Sequence, residues 1–464
     1  MEKKNALRTT VVASVLAASS QVWATNGMLM EGYGPIGLSM GGAAQGFDNG
    51  TAGMMNNPAT LQLGENGTRA DLALGLLGPN VTAMGVKSGG TSYVMPAFGW
   101  VRKNDQYSYG LGVFGQGGMG TEYPASSPFG AGTGDARSEL GVGRVIFPVS
   151  MKVNDRINVG ATLDYTWASL DMKMLASPAQ FDQMFQAGNS GMTLADLDAY
   201  VASQNPSSPP PPYAGNFARL EFSNSNKFTG QAKGSGWTGK LGLTFKATET
   251  LTLGASYQLK TRLSDLKTQA GGATFTLYPP VTVDGMAMPD ASNGMAMPGK
   301  IIVKDFQMPS VLAVGASFQA SPQLQLAADV KKIGWSSVMK SFNMSFDMGG
   351  GQVMNFGMPQ NWKDQTVLSL GGAYRLNNEL TLRAGYSHSS NPIPDAYAHP
   401  LFPAIVKNHY TAGLGYQINK STSLNAAVSH APKVSVNSGM LQGMPSQAIT
   451  HSQTNYQLML SMRY

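Results

Sequence analysis

The chain has 464 residues, of which 12% are charged and 42% are hydrophobic, with 56 glycines and no cysteine. A charged fraction of about half that of ordinary domains argues against a conventional water-facing surface. The lack of cysteine excludes disulfides and thiolate chemistry, and the mild net charge of +6, without a basic run, gives no indication of a nucleic-acid partner. After the N-terminus, no apolar stretch reaches the length of about 18 residues that a transmembrane helix needs.

Residues 1–24 are predicted to be a secretory signal peptide. The basic n-region contains Lys3, Lys4 and Arg8. A short apolar h-region follows at 11–18, and Val22-Trp23-Ala24 provides small residues at positions −3 and −1 of a cleavage site. We therefore expect the mature chain to begin at Thr25.

Residues 25–66 are predicted to form a plug, or hatch, ahead of the first strand. The segment is rich in glycine, weakly charged and without strand alternation. A disordered N-terminal arm is the alternative. Against it stands an apolar content higher than disordered tails carry, in Leu29, Met30, Tyr33, Ile36, Leu38, Met40, Phe47, Met54 and Met55.

Residues 67–464 repeat a pattern in which apolar and polar side chains alternate, as strands require. In the last strand one face carries Tyr456, Leu458, Leu460, Met462 and Tyr464. Short turns at one end, long connections at the other and aromatic residues near strand ends predict a transmembrane antiparallel β-barrel, an all-β fold. About 14 strands are expected, at 69–86, 93–104, 105–117, 137–153, 156–171, 230–248, 249–266, 300–320, 322–336, 362–377, 378–391, 407–419, 420–431 and 450–464.

A secreted β-sandwich or propeller also alternates, but its outer face must be polar enough for water. Here the less apolar face carries small and neutral polar residues, which favours a lipid-facing barrel. The terminal Tyr464 then belongs to a last strand that pairs with the first and removes the sheet edge. A C-terminal aromatic residue is also the usual signal for the barrel-assembly machinery.

The third predicted strand ends in "GLGVFGQGGMG". Glycines inside a strand weaken it and indicate a bulge or a close backbone approach. We therefore expect a kink at Gly115, Gln116, Gly117 and Gly118, and an opening in the wall beside it.

The connection at 171–236 contains two predicted amphipathic helices. One apolar stripe holds Phe181, Met184 and Phe185, and the second holds Leu194 and Leu197. The two stripes either pack only against each other or offer an apolar landing surface for a ligand.

The segment "EGYGPIGLSMGG", followed by "NNPATL", resembles the hatch of the FadL/TodX family of outer-membrane transporters of hydrophobic compounds. The resemblance continues through "GQGGMGTEY", "MPSVLAVGASF" and "NWKDQTVLSLGGAYRLNNELTLRAGYSHSSNPIPDAYAHPLFPAI". "EGYG" and "GTEY" are nearer the TodX-like branch, which is linked with hydrocarbons.

The resemblance implies a monomer in the outer membrane of a Gram-negative bacterium, with hydrophobic small molecules and membrane lipid as partners. Ligand would pass from the outer loops to a pocket at Met28, Leu29 and Met30, then leave sideways at the kink. The hatch triplet Asn57, Pro58 and Ala59 would lie against that kink. Long-chain fatty acids or hydrocarbons are the implied cargo, with a dedicated channel for toluene-like aromatic hydrocarbons as the alternative.

An enzyme and a porin for polar solutes are two other functions that a β-barrel could have. An enzyme would need a positioned nucleophile or acid–base set, yet the five histidines show no metal-ligand spacing, and no metal or cofactor is predicted. A porin for polar solutes would need charged ladders at its constriction rather than an apolar plug.

Overall fold

The structure is a computed structural model that describes residues 26–204, 206–207, 211–226, 230–441 and 447–464. The predicted signal peptide and its cleavage site at Thr25 lie outside the described residues.

In the part of the chain that the structure describes, helices are short and occur in the N-terminal segment and the connections. The α-helices are α1 (Gly34–Ser39), α2 (Gly53–Asn56), α3 (Pro178–Gly188) and α4 (Leu194–Gln204), and the 3₁₀ helices are Gly50–Ala52, Pro58–Leu63, Trp335–Ser337, Asp395–Tyr397 and Gly439–Leu441. Among the described residues, none of the helices has the length and apolar character needed to cross a membrane.

Most of the remaining described chain is strand. In chain order the strands are β1 (Gly67–Ala83), β2 (Val86–Lys87), β3 (Tyr93–Lys103), β4 (Tyr107–Tyr123), β5 (Ala136–Lys152), β6 (Ile157–Ala176), β7 (Phe217–Phe222), β8 (Ala232–Lys246), β9 (Leu251–Gln258), β10 (Arg262–Leu263), β11 (Leu266–Lys267), β12 (Ala273–Tyr278), β13 (Pro280–Val283), β14 (Met286–Pro289), β15 (Met295–Lys304), β16 (Val311–Gln319), β17 (Leu324–Ile333), β18 (Ser341–Gly349), β19 (Gln352–Pro359), β20 (Gln365–Arg375), β21 (Leu380–Ser389), β22 (Asn408–Asn419), β23 (Thr422–Asn437) and β24 (Ala448–Arg463).

The sheet closes on itself where the first strand meets the last. β1 pairs antiparallel with β24 from Arg69–Arg463 to Ala83–Ile449. Thr68 and Tyr464 continue this ladder, because their backbones exchange hydrogen bonds of 3.0 and 2.9 Å. The predicted pairing of the last strand with the first is confirmed, and closure removes the edge that an open sheet would expose to lipid.

The prediction of about 14 strands is wrong, because the closed ring contains 18 strands. The ring runs β1-β3-β4-β5-β6-β7-β12-β15-β11-β8-β9-β16-β17-β20-β21-β22-β23-β24. β6 also pairs directly with β8, and the added strands β7, β12, β15 and β11 enter beyond that ladder. They come mainly from 171–236 and 266–299, where the sequence pattern predicts connections between strands. There the backbone satisfies its hydrogen bonds by extending the wall.

The two faces of the sheet differ as the alternation predicts. Tyr456 and Leu458 in β24 are 54% and 49% exposed, whereas Asn455 and Gln457 are 1% and 8% exposed. The outer face thus carries the large apolar side chains, and the inner face carries the small and polar ones. Aromatic residues exposed on the outer face include Tyr107, Tyr109, Tyr165, Trp237, Tyr257, Tyr374, Tyr410, Tyr416 and Tyr456.

Candidate functional site

The N-terminal segment packs against the inner face of the ring. α1 contacts β22, β23 and β24, and the 3₁₀ helix Pro58–Leu63 contacts β5, β6 and β8. From Asn26 to Gln62, every residue except Tyr33, Gly34 and Asp48 is buried. The segment therefore touches strands in separate parts of the ring.

Charged side chains of β17 bind the backbone of this segment. The Lys331 ammonium donates hydrogen bonds to the carbonyls of Gly42 at 2.8 Å and Glu31 at 3.2 Å. The Asp329 carboxylate accepts a hydrogen bond of 2.6 Å from the backbone N–H of Ala44. Buried backbone groups without secondary structure need such partners, so this strand satisfies the irregular chain that follows α1.

Two other strands bind the segment in the same way. Lys240 of β8 donates to the carbonyls of Met55 and Asn56, which lie at the C-terminal end of α2. Asp71 of β1 accepts a hydrogen bond of 2.8 Å from the N–H of Thr51. Hydrogen bonds between inward-facing wall residues and the main chain of the segment therefore help to fix its position.

The Asn57-Pro58-Ala59 triplet begins a 3₁₀ helix and lies against β6 and β8. Asn57 is fully buried, accepts a hydrogen bond of 3.1 Å from the Ala59 N–H, and donates one of 3.1 Å to the Leu243 carbonyl. A Cβ at Gly160 of β6 would come within 2.6 Å of the Pro58 carbonyl carbon and the Ala59 nitrogen. Glycine therefore permits this close approach.

β4 contains a bulge at Gln116, where the register with β5 shifts by one residue. Two residues of the N-terminal segment pair with the strand at this point. Leu29 forms a β-bridge with Gly117, and the Gly118 N–H donates a hydrogen bond of 3.0 Å to the Met28 carbonyl. The bulge therefore lies against Met28 and Leu29, whereas the wall hydrogen bond of the Asn57 side chain runs to β8.

Polar groups hold the bulged residue from inside the ring. The Tyr33 hydroxyl donates a hydrogen bond of 2.7 Å to the Gln116 carbonyl. Arg144 donates one of 2.7 Å to the Gln116 side-chain oxygen and another of 2.8 Å to Asp164. Burial raises the pKa of the Tyr33 phenol, which keeps it a hydrogen-bond donor.

Beside the bulge, the hydrogen-bonded ladder between β3 and β4 is incomplete. β3 pairs with β4 only from Phe98–Val113 to Lys103–Ser108. Residues 93–97 of β3 pair with β1. The part of β4 that follows Val113 pairs with β5. A cleft at this seam is lined by apolar side chains that include Met30, Met95, Phe98 and Phe114.

Met28, Leu29 and Met30 are all buried and belong to the main apolar cluster of the protein. Leu29 and Met30 also line a second, inner cleft together with Lys240 and Lys331. Both lysines donate to main-chain carbonyls of the N-terminal segment, so their charges are already engaged. The inner cleft therefore combines apolar side chains with cations that serve the segment.

A cavity of about 450 Å³ lies among the outer connections. Its lining is mainly apolar and comes from distant parts of the chain, including Phe129, Met174, Met184, Met358, Leu401 and Met440. His399 also lines it, and burial lowers the pKa of this imidazole to about 4, which keeps it uncharged at neutral pH. The cavity can therefore bind an apolar molecule without an opposing charge.

The two outer helices form as their sequences predict. Ser177 and Gln180 make a reciprocal capping box at the start of α3. Phe181, Phe185 and Leu194 are buried, and Phe181 packs against the aromatic rings of Phe275 and Phe356. These three residues build the outer core rather than a free surface, and Leu197 is partly buried against that core.

Of the five predicted catchment residues, only Met184 lines the outer cavity. Its partners Met358, Leu401 and Met440 lie far away in the sequence, on segments with no local pattern that marks a site. Only the tertiary fold brings them together, since Met184 lies in α3, Met358 in β19 and Met440 in a 3₁₀ helix. Among the described residues, no group of three or more histidine or acidic side chains is arranged to hold a metal ion.

Comparison with known proteins supports these features. The family model described as outer membrane protein transport protein (OMPP1/FadL/TodX) matches residues 15–464. The toluene transporter TodX of P. putida is 30% identical, with a TM-score of 0.77 over 94% of this chain and 99% of its own. The toluene transporter TbuX of Ralstonia pickettii is 28% identical, with a TM-score of 0.71 over 94% and 99%.

The long-chain fatty acid transport protein of Salmonella typhi is 21% identical over 449 residues, 94% of each chain. The resemblance seen in the sequence is therefore confirmed, and the chain belongs to the outer-membrane transport protein family OMPP1/FadL/TodX.

Proposed function

We propose that this protein is an outer-membrane channel through which hydrophobic compounds diffuse passively, from the outer cavity to the seam between β3 and β4. One observation carries the proposal. A single buried apolar cluster joins Met28 and Met30, beside the β4 bulge, to Met174, Met358 and Leu401 around the outer cavity. An apolar molecule can therefore meet apolar side chains from the outer loops to the wall.

The seam supports a sideways exit into the membrane. An apolar ligand loses about 0.8 kcal/mol for each CH₂ group that it exposes to water. The space toward the short turns is a polar cavity of about 460 Å³, whose lining includes Gln325, Arg375, Arg383 and Asn425. Axial passage would lead through that polar cavity, whereas the seam opens beside the lipid-facing side of the wall.

Residues 25–66 act as the hatch in this proposal. From Asn26 to Gln62 they are almost entirely buried, and their main chain is bonded to Asp71, Lys240, Asp329 and Lys331 of the wall. Such a hatch blocks a water-filled route through the ring and leaves the seam as the exit. Met28, Leu29 and Met30 would line the ligand pocket next to the bulge.

Hydrophobic compounds in general, fatty acids or hydrocarbons, are the proposed cargo. A dedicated channel for aromatic hydrocarbons is the second candidate, because relatives with 30% and 28% identity are toluene transporters. The inner cleft favours an uncharged ligand, since Lys240 and Lys331 donate to hatch carbonyls and Arg144 pairs with Asp164 at 2.8 Å. A carboxylate would have to displace one of these contacts.

Binding of matched ligands to the purified protein tests the cargo. We expect a long-chain fatty acid, its methyl ester and an alkylbenzene to bind with similar affinity, because buried area rather than charge holds them. A preference for the free acid of more than about tenfold, or roughly 1.4 kcal/mol, would indicate a dedicated fatty-acid transporter with a basic anchor.

Flux of polar solutes tests the channel type. Protein in liposomes should admit hydrophobic compounds while sugars pass no faster than through protein-free liposomes. Rapid sugar flux would instead identify a porin. The family is one of transport proteins, so an enzymatic function is not proposed.

Assembly and oligomeric state complete the proposal. The last strand ends at Tyr464, whose side chain is exposed next to the apolar outer face of β24. We expect this terminal strand to direct the chain to the barrel-assembly machinery, and the channel to work as a monomer. Removal of Tyr464 should lower the amount of folded protein in the outer membrane. The mass of the purified wild-type protein in detergent, corrected for bound detergent, should match one chain.

A further inference from the structure

The outer face of β8 changes character along the strand. Toward the turn at 247–250, its outward side chains are Phe245, Leu243 and Leu241, all exposed. Trp237 follows, also exposed, and packs edge-on against Tyr165 with ring centroids 5.4 Å apart. Lys233 follows in the same alternation and is exposed. The face therefore passes from aliphatic to aromatic to cationic.

The neighbouring strands repeat this order in register. Tyr257 lies opposite Leu241, Arg262 opposite Trp237, and Lys267 opposite Lys233. Directly opposed residues share a face, so Arg262 and Lys267 also point outward. Lys267 in turn opposes Ile302 of β15, and the alternation places Lys304 on the same outer face. Lys233, Arg262, Lys267 and Lys304 form what we name the upper cationic patch.

Few carboxylates oppose the upper cationic patch. The ion pair described within it joins Lys267 to Asp265 at 3.9 Å. Lys304 donates a hydrogen bond of 3.1 Å to the Asn355 side chain, and Asp305 lies beside Asp265, its N–H donating to that carboxylate at 3.1 Å. Among the residues that the structure describes, the four cations of the patch thus stand against the carboxylates of Asp265 and Asp305.

Two lysines at the opposite rim of the ring behave differently. Lys152 pairs with Asp155 at 2.7 Å, and Lys246 pairs with Glu249 at 2.6 Å, each within a short turn. Exposed lysines of this protein can therefore form ion pairs with nearby carboxylates. Among the described residues, the four cations of the upper cationic patch make one ion pair, between Lys267 and Asp265, so positive charge in this patch exceeds what its ion pairs neutralise.

We propose that the upper cationic patch binds the phosphate groups of a lipid in the outer leaflet, with the acyl chains of that lipid on Leu241, Leu243 and Tyr257. The patch is continuous with the lipid-facing band. Lys233 lies four residues, or about 13 Å of strand, beyond the aromatic level at Trp237. At that level a membrane presents headgroups, and basic residues there attract anionic lipid. A free anion would have no reason to align with this band.

Lipid binding by the full-length protein tests the proposal. A triple variant, Lys233→Gln, Arg262→Gln and Lys267→Gln, is compared with Lys152→Gln, Lys246→Gln and Lys420→Gln at the other rim. Native mass spectrometry in detergent, with a bisphosphorylated lipid A as the probe, reports affinity. We expect the affinity of the first triple variant for lipid A to fall by about tenfold or more, because each cation near the headgroups contributes to binding. The affinity of the second triple variant should change by less than about twofold.

Two further arms separate lipid from free phosphate. Lipid A with its phosphates removed should bind to the wild-type protein about as weakly as the intact lipid binds to the first triple variant. Inorganic phosphate at millimolar concentration should fail to displace the intact lipid.

Equal binding of phosphorylated and dephosphorylated lipid would overturn the proposal. So would full displacement by inorganic phosphate, or a first triple variant that keeps wild-type affinity. Heat-modifiable migration on gels shows whether each variant is folded. If the first triple variant does not fold, the single variants Lys233→Gln and Lys267→Gln, each with a smaller expected loss, decide the question.

Discussion

The N-terminal segment and the core of the outer connections are both buried, but they are held in different ways. The main chain of the segment accepts hydrogen bonds from Lys240 and Lys331 and donates hydrogen bonds to Asp71 and Asp329. The outer core is built from side chains, in which Phe181, Phe275, Phe346 and Phe356 pack with centroids 5.5 to 6.2 Å apart.

This difference makes the N-terminal segment the fixed part of the molecule and the outer core the adaptable part. Charge-assisted hydrogen bonds are directional and demand one geometry. Apolar contacts are non-directional and tolerate replacement by a ligand. The proposed channel needs both properties, an N-terminal segment that stays in place and an outer cavity that accepts varied molecules. Changes to the fixed part should therefore have larger effects than changes to the entrance.

The largest effect is expected from Gly117→Val in the β4 bulge. A Cβ at Gly117 would overlap the Met28 carbonyl oxygen, so the strand and the hatch cannot keep their present contact. Overpacking of this kind costs about 1–3 kcal/mol, and we expect hydrophobic uptake by cells to fall by about tenfold or more.

Gly372→Val in β20 is the matched control. Its Cβ would lie 3.5 Å from a Leu326 methyl group, an ordinary contact, so uptake should stay near the wild-type rate. If Gly117→Val, or the double variant with Gly118→Val, folds and still takes up cargo normally, the sideways route is wrong.

A smaller effect is expected from Lys240→Met and Lys331→Met, which remove cations bonded to the hatch carbonyls. A hydrogen bond to a charged group contributes about 1.5–3 kcal/mol. Hydrogen exchange of the amides at 40–56 should therefore become about tenfold faster or more in each variant.

Lys332→Met is the control, because Lys332 is exposed on the outer face next to Lys331.

In the wild-type protein, protease on the periplasmic side should spare Tyr33 and Phe47. Rapid cleavage there, or exchange rates unaffected by either lysine change, would show that the wall does not hold the segment inside the ring.

The smallest effect is expected from Met184→Asn in the outer cavity. The change removes some tens of Å² of apolar contact, worth about 1 kcal/mol, so ligand affinity should weaken by about fivefold without loss of fold. Met192→Asn, at an exposed position absent from the cavity lining, should leave affinity unchanged. Equal effects of the two changes would show that the outer cavity is not the entrance.

The strand pattern could be predicted from local sequence because each wall residue meets one of two environments. Tyr456 and Leu458 face outward, and Asn455 and Gln457 face inward, as a period of two requires. The strand count could not be predicted in the same way. β7 and β12 are each only six residues long and almost wholly buried, so the alternation in each is too short to distinguish a wall strand from a connection, and only their pairing with β6 and β15 identifies them.

For a similar reason, some features of the candidate site could be predicted from the sequence and others could not. Gly115–Gly118 was identified because several glycines inside one strand are a local signal, and the structure places a register shift there. Lys240 and Lys331 were not linked to the segment, because their partners are carbonyls some 185 and 289 residues away. Every residue has a carbonyl, so the sequence contains no trace of such a contact.

By itself, the sequence determined an all-β barrel with an apolar outer face and a distinct N-terminal segment, since solvent imposes a period that each strand records locally. Only the tertiary structure decided the number of strands in the ring, the incomplete ladder between β3 and β4, and the lining of the outer cavity. These features depend on which distant segments pair, and pairing depends on backbone hydrogen bonds that all residue types except proline offer alike.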